Sequence, residues 1–167
     1  CYGPSRQLVG QSKEVFSIIG YAANRKGQPV LMADLGTVVH EFNHSFIKIE
    51  GDTKNALAKS GKTIKSYSAF CMKQQAYDSW QTILEESLVR AAEKCYFIEH
   101  GDGKVDKGIR NEMNHGFFWM PELVQTLRYY ESHRKKYPTF TSFYPEIIRF
   151  FDRYVTNMEK EMKKAMK

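Results

Sequence analysis

Two histidines and a glutamate in the first third of the sequence have a spacing that suits metal chemistry. Residues 37–47 read Thr-Val-Val-His-Glu-Phe-Asn-His-Ser-Phe-Ile, so His40 and His44 are four positions apart. On a helix this spacing brings both side chains to one face, with about 5–6 Å between their Cβ atoms. Two imidazoles at that separation suit one tetrahedral zinc ion. The pattern therefore predicts a zinc site centred on this pair of histidines.

Glu41 has a different predicted role from the two histidines. It directly follows the first of them, so on a helix it is turned by about 100° and can face a metal-bound water without binding the metal. Zinc lowers the pKa of such a water toward about 7, and the glutamate removes a proton as the water attacks a carbonyl. Val38 and Val39 before the first histidine, with Phe42 and Phe46 interleaved, make the other helix faces apolar, as a buried active-site helix requires. The competing interpretation is a helix that carries two ordinary histidines.

A zinc site of this kind needs a third protein ligand, and three carboxylates are candidates. Glu50 lies ten residues after the first histidine, but Ile47 stands where that route needs a glycine to turn the chain. Glu85 and Glu86 lie about forty residues further on, in a segment with helical periodicity. Glu86 stands four residues before Arg90, which could orient its carboxylate. Periodicity alone does not choose between these two adjacent glutamates.

Hydrolysis of a peptide bond also needs a hydrogen-bond donor for the oxyanion that forms on the attacked carbonyl. The sequence candidates are His115, in Asn-His-Gly-Phe-Phe-Trp, and Tyr130, in Tyr-Tyr-Glu-Ser-His-Arg. For each of them a packing or surface role is the competing interpretation. We therefore take His115 and Tyr130 as candidate catalytic residues beside Glu41.

The elements that must position these residues begin with a hairpin and the metal-binding helix. Apolar segments at 15–23 and 28–32 flank the turn sequence Asn-Arg-Lys-Gly, which predicts a β-hairpin. Asp34 can cap a helix that runs from Leu35 to about Ile49. The polar, lysine-rich residues 52–67 indicate a surface loop with at most one short helix.

Three further helices are predicted in the rest of the chain. Apolar residues recur at steps of three and four over 74–97, where the sequence His-Gly-Asp-Gly then ends the helix. A second helix is expected over 121–136, and a third begins near Pro145. The predicted fold class is α+β: a mostly helical domain with a small β element at its start.

Length, composition and charge exclude several classes of protein. The 167 residues are 42% hydrophobic and 26% charged, which fits one ordinary globular domain, and no apolar run approaches the roughly 20 residues of a transmembrane helix. The formal net charge is +6, but the basic residues are spread out apart from one cluster near the end of the chain. A solvated helix face explains that cluster better than a nucleic-acid interface, so no nucleic-acid partner is predicted.

Three stretches of this sequence, HEFNHSF, ESLVRA and YYESHRKKYPTF, together resemble an uncharacterised family of bacterial zincin-like metallopeptidases known chiefly as a domain of unknown function. The resemblance extends over about 18–151. It implies His40 and His44 as zinc ligands, Glu41 as the general base and Glu86, in the manner of gluzincins, as the third ligand. The family label itself says little about the substrate, and the expected peptide or protein substrate follows from the predicted hydrolysis of a peptide bond by zinc-activated water.

The length of the sequence predicts one domain over residues 1–167, and by the resemblance this domain is zincin-like and catalytic. The resemblance also implies export to the bacterial envelope, with a cytoplasmic location as the alternative. Only 39 residues precede His40, which leaves little room for the sheet on which such helices normally pack. We therefore expect the sequence to be the C-terminal part of a longer chain. The rival hypothesis from another functional class is a non-catalytic binding domain on a zincin scaffold. The sequence predicts no oligomeric state.

Overall fold

The computed structural model describes residues 2–9, 12–18, 20–31 and 34–165, and it describes side chains at 20, 22–30 and 34–165. The chain divides into two compact units, Cys1–Lys48 and Ile49–Lys167. In the described part there are six helices, five of them in the second unit, and two small antiparallel sheets. The prediction of a mostly helical α+β fold with a small β element at its start is confirmed.

The described residues of the first unit form two separate two-stranded sheets and one helix. Strand β1 (Tyr2–Val9) pairs antiparallel with β2 (Ser12–Ile18), in a register that matches Val9 with Ser12. Strand β3 (Tyr21–Ala23) pairs antiparallel with β4 (Pro29–Leu31). The predicted hairpin is therefore present, but its first strand is shorter than 15–23, because Gly20 interrupts the apolar run and Ser12–Ile18 pairs with β1. The predicted strand end at Met32 lies outside the described residues.

The hairpin turn is built by one asparagine side chain. Asn24 Oδ1 accepts hydrogen bonds from the backbone N–H groups of Lys26 at 2.9 Å and Gln28 at 3.0 Å. Gly27 has a φ of 73°, a left-handed conformation that glycine adopts without steric cost. Asparagine and glycine thus supply the turn chemistry that the sequence predicted.

Helix α1 (Leu35–Asn43) begins as predicted and ends earlier than predicted. Its N-cap is Asp34, whose Oδ1 accepts the backbone N–H of Thr37 at 2.9 Å. The helix stops six residues before Ile49, since Ser45 N–H already bonds to a carbonyl only three residues back, at 2.9 Å. Such a tightened turn satisfies the last carbonyls of a helix and ends it.

Helix α2 (Gly51–Gln74) occupies the segment predicted to be a surface loop, and that prediction is wrong. Its buried face is spaced at helical intervals but combines apolar with small polar residues: Leu57, Ser60, Gly61, Ile64, Ser68 and Met72. The small side chains conceal the hydrophobic period in the sequence. They also permit close packing, because a Cβ at Gly61 would lie 2.4 Å from Cε3 of Trp80.

Helix α3 (Trp80–Glu99) is the predicted amphipathic helix, displaced toward the C-terminus. Its first residue is Trp80 rather than Gln74, because α2 extends through Gln74 and a turn with Ala76 in a left-handed conformation separates the two helices. The turn at Gly101, whose φ is 71°, ends α3 as the sequence predicted.

The remaining helices are α4 (Val105–Asn114), α5 (Met120–Ser132) and α6 (Phe140–Ala165). Helix α4 was not predicted, and α5 ends four residues before the predicted 136. Helix α6 begins five residues before Pro145, because Thr139 and Ser142 exchange hydrogen bonds between side chain and backbone at 3.2 and 3.3 Å. That reciprocal capping fixes the start of the helix, and the proline lies inside it.

The core of the second unit lies where α2 packs on α3 and α6, and where α3 packs on α5. Fully buried aromatic side chains fill it, among them Phe117, Phe143 and Phe151. A buried hydrogen bond of 2.9 Å joins the Trp119 indole N–H to Ser87 Oγ. None of the helices in the described ranges is long and apolar enough to cross a bilayer.

Candidate metal centre

The two histidines of the motif lie at the C-terminal end of α1. His40 is in the last turn, and His44 is the C-cap residue with helical backbone angles, so the helical spacing extends across the helix end. Their ring centroids are 5.0 Å apart and the ring planes meet at 75°. Both side chains are half-buried, and Glu41 beside them is half-buried as well. Because zinc binds imidazole nitrogens at about 2.0–2.1 Å, two rings this close can share one ion.

Two polar atoms next to the second histidine are buried without a hydrogen-bond partner among the described residues. They are Nδ2 of Asn43 and Oγ of Ser45, and Ser45 is only 2% exposed. An unsatisfied buried polar atom costs about 1–3 kcal/mol, so such atoms are uncommon in folded proteins. The sequence did not single out either residue.

Glu86 lies on α3, where two neighbours hold its carboxylate. Its Oε2 accepts a hydrogen bond from the Tyr77 hydroxyl at 3.1 Å and lies 3.5 Å from Nε of Arg90. Arg90 Nη2 in turn donates to the Tyr77 hydroxyl oxygen at 3.0 Å. The Glu86 side chain is 12% exposed, so water competes little for these contacts. The predicted pairing of Glu86 with Arg90, four residues later, is present.

The two rival carboxylates have other surroundings. Oε1 of Glu85 accepts the backbone N–H of Ile49 at 2.9 Å and a weaker bond from Gln81 at 3.4 Å. This contact fixes the residues just before α2 to helix α3. Glu50 is the N-cap residue of α2 and is exposed. Within the second unit, Glu85 therefore has a structural contact, and Glu86 has the contacts expected of an oriented ligand.

Arg90 is itself anchored from α4. Its Nη1 donates to Oε2 of Glu112 at 2.8 Å, and its guanidinium lies over the Phe117 ring at 4.9 Å. Lys94 Nζ lies 3.3 Å from the other carboxylate oxygen of Glu112. Glu112 is only 7% exposed, and a carboxylate is seldom buried to this degree unless it is paired, as Glu112 is here.

The contacts of this cluster determine its charge states. Burial lowers the pKa of Arg90. The nearby Glu112 carboxylate and Tyr77 hydroxyl raise it by more than burial lowers it, so the pKa lies above its usual value. Burial is also the largest cause that raises the pKa of Tyr77. At neutral pH the arginine is therefore charged and the tyrosine keeps its proton.

The two predicted oxyanion donors both lie in the second unit. Tyr130 is 9% exposed, its ring packs 5.0 Å from that of Phe143, and the Arg134 guanidinium lies over it at 4.6 Å. Burial raises its pKa. His115 is exposed at the C-cap of α4, and its carbonyl accepts a 2.7 Å bond from Gln75. Their catalytic role stays a prediction.

Sequence reasoning missed Tyr77 and Glu112. Tyr77 falls inside the predicted helix over 74–97, but it lies in the turn before α3. Glu112 is on α4, a helix that the sequence did not predict. Arg90 is the one residue of this cluster whose sequence position pointed to further partners, because an arginine that becomes half-buried needs more than one acceptor.

Comparison with known proteins yields a family. No curated protein and no solved structure matches the chain. Residues 11–150, which make up most of the sequence and include both histidines and the Glu86 cluster, match the family described as a domain of unknown function, DUF4932. The chain belongs to the DUF4932 family.

Proposed function

We propose that the chain is a zinc-dependent hydrolase of the HExxH type, and that it cleaves peptide bonds on a zincin-like scaffold. The observation that carries this proposal is the pair of half-buried imidazoles at the end of α1, with 5.0 Å between ring centroids and Glu41 directly after the first. Two ordinary surface histidines would need neither a shared helix face nor partial burial.

The donor set fits zinc. The proposed ligands are His40 and His44, each with a ring nitrogen, and Glu86, with a carboxylate oxygen. Two imidazoles and one carboxylate are an established ligand set of catalytic zinc, which keeps a fourth position for water. We assign Glu86 rather than Glu85 as the third ligand, because Glu85 already accepts the backbone N–H of Ile49 while Glu86 is held by Tyr77 and Arg90.

In the proposed reaction each protein group has a defined task. Zinc held by these ligands would supply Lewis acidity and lower the pKa of a water molecule toward about 7. Glu41 would take a proton from the attacking water and pass it to the leaving amine. The Tyr77 hydroxyl and Arg90 would keep the Glu86 carboxylate in one orientation.

Substitution of Glu41 tests the reaction. Glu41→Gln should keep zinc and fold but lower hydrolysis by about 10²–10⁴-fold, since an amide cannot accept the proton. Glu161→Gln, a change at an exposed carboxylate far along the chain from the motif, is the matched control and should hydrolyse as the wild type does. All three proteins are incubated with a mixed peptide library, and new termini are read by mass spectrometry. Equal cleavage by the Glu41→Gln protein would refute the role of the base.

The same experiment separates an enzyme from the rival binding domain. A non-catalytic zincin scaffold would hold zinc and lose it in a His40→Ala/His44→Ala protein, but the wild type would cleave nothing in the library. A protein that binds no zinc at all would contradict the proposed hydrolase.

The oxyanion donors proposed from the sequence are tested separately. Tyr130→Phe removes the hydroxyl and keeps the ring against Phe143. If Tyr130 stabilises the oxyanion, kcat should fall by about 10²–10³-fold. Unchanged kcat would leave Tyr130 with its packing role, and His115→Ala would then be measured in the same way.

A further inference from the structure

A line of four polar side chains connects α4 to Glu86. Glu112 contacts Arg90 at 2.8 Å, Arg90 contacts the Tyr77 hydroxyl at 3.0 Å, and that hydroxyl contacts Glu86 at 3.1 Å. The four residues come from α4, α3 and the turn before α3, so only the folded second unit brings them together.

The direction of each hydrogen bond in this line is fixed. Arg90 has only donors, so the Tyr77 oxygen must accept from it. A phenol has one proton, and with its oxygen already accepting from Arg90, that proton points to the Glu86 carboxylate. The direct approach of Arg90 Nε to Glu86 is longer, at 3.5 Å, so the tyrosine provides the stronger contact.

Stability alone is a weak explanation for such a buried cluster. Removing two charges from water costs several kcal/mol for each ion, and a well-packed apolar replacement is often as stable. The Glu112 side chain is 9% exposed and that of Arg90 20% exposed, so both bear part of this cost. A cluster of this kind is better explained by a need to hold one group in a fixed orientation.

We propose that Tyr77 and Glu112 are positioning residues for the Glu86 carboxylate. Glu112 fixes the Arg90 guanidinium, and Arg90 polarises and orients the Tyr77 hydroxyl. The hydroxyl then holds Glu86 in the rotamer in which it binds the metal. This inference rests on the proposed function, because it assigns a metal to Glu86.

The test uses the full chain and zinc alone as the ligand. Tyr77→Phe removes one hydroxyl and keeps the ring that meets Phe117 edge-on at 6.3 Å. Its zinc affinity, measured by competition with a chromophoric chelator, should fall by about 10–100-fold, the usual effect of losing a hydrogen bond to a metal ligand. Glu112→Gln should lower affinity in the same direction. Tyr96→Phe, a change on α3 where the ring stacks on that of His100, is the control and should have no effect.

A double-mutant cycle distinguishes positioning from a general loss of stability. If Tyr77 acts through Glu86, then adding Tyr77→Phe to a Glu86→Ala protein should not weaken zinc binding further. A role in folding alone would lower affinity equally in both backgrounds. The melting temperature of each metal-depleted protein, recorded in parallel, identifies any variant that has lost its fold.

The possible outcomes separate this inference from the proposed function. If the wild type binds zinc, and loses it on His40→Ala/His44→Ala, but Tyr77→Phe and Glu112→Gln bind as tightly as the wild type, the positioning role is overturned and the zinc site stands. If both variants weaken binding equally with and without Glu86, the positioning role is also overturned. A wild type that binds no zinc overturns both.

Discussion

Replacing Ala76 by glycine is expected to stabilise the second unit. Helix α2 ends in a Schellman motif, in which Tyr77 N–H donates to the Met72 carbonyl at 3.0 Å and Ala76 N–H to the Lys73 carbonyl at 3.1 Å. This motif requires a left-handed residue, and Ala76 supplies it with a φ of 60°. Among the described residues it is the one non-glycine with a positive φ.

The magnitude follows from two opposing effects. An alanine in the left-handed region costs about 1–2 kcal/mol relative to the right-handed region, because its Cβ crowds the following carbonyl. Glycine relieves that strain but gives the unfolded chain more conformational freedom, which offsets about 0.4–1 kcal/mol. The Ala76 side chain is exposed, so its removal loses little packing. The net expectation is a gain of about 0.5–1 kcal/mol in the free energy of unfolding.

Ala69 provides the matched control. It is an exposed residue in the interior of the same helix, and Ala69→Gly should destabilise the unit by about 1 kcal/mol. Both tryptophans, Trp80 and Trp119, lie in the second unit, so their fluorescence during urea unfolding reports that unit. The same substitution should therefore shift the midpoint in opposite directions at the two positions. A loss of stability in Ala76→Gly as large as that in Ala69→Gly would refute the assignment of strain.

Two further predictions concern close packing and helix capping. Gly61→Ala should destabilise the second unit by about 1–3 kcal/mol in urea, because the new methyl group would lie 2.4 Å from the Trp80 ring. Gly108→Ala, where the nearest atom is the flexible Lys94 Cε at 3.4 Å, should be neutral or stabilising, and equal losses at both sites would contradict the packing argument. Asp34→Ala should destabilise α1 by about 0.5–2 kcal/mol, measured by hydrogen exchange of its amides, whereas Asp34→Asn should keep the cap. The Thr37 backbone N–H lowers the pKa of Asp34, so this contribution should be complete above about pH 4 and disappear as the pH falls through the lowered pKa. A wild type and an Asp34→Asn protein with the same dependence on pH would contradict that prediction.

The sequence predicted those features of the fold that depend on neighbouring residues. The Asp34 cap, the Asn24 turn and the end of α3 at Gly101 each need only a side chain or a glycine within a few positions. Local hydrogen-bond chemistry decides such features before any tertiary contact forms.

The sequence failed where packing decides the structure. Helix α2 buries Ser60 and Gly61, and the position of Trp80 explains why a residue without a Cβ stands at position 61. Helix α1 was predicted too long, because no glycine or proline marks its end at Asn43. Neither hydrophobic periodicity nor breaker residues determine the end of α1 or the extent of α2.

The candidate site divides in the same way. The spacing of His40, Glu41 and His44, and the step of four from Glu86 to Arg90, are properties of single helices and can be read from the sequence. Tyr77 and Glu112 reach Arg90 from a turn and from another helix. Such contacts depend on tertiary packing, so the sequence alone could not predict them.

Anomalous diffraction from crystals of the zinc-loaded chain, recorded on both sides of the zinc absorption edge, tests the central claim most directly. The proposed function predicts one zinc peak for each chain, bound by a ring nitrogen of His40, a ring nitrogen of His44 and a carboxylate oxygen of Glu86. A peak bound by Glu85 in place of Glu86 would contradict the assignment of the third ligand. A zinc peak away from both histidines, or none at all, would contradict the account as a whole.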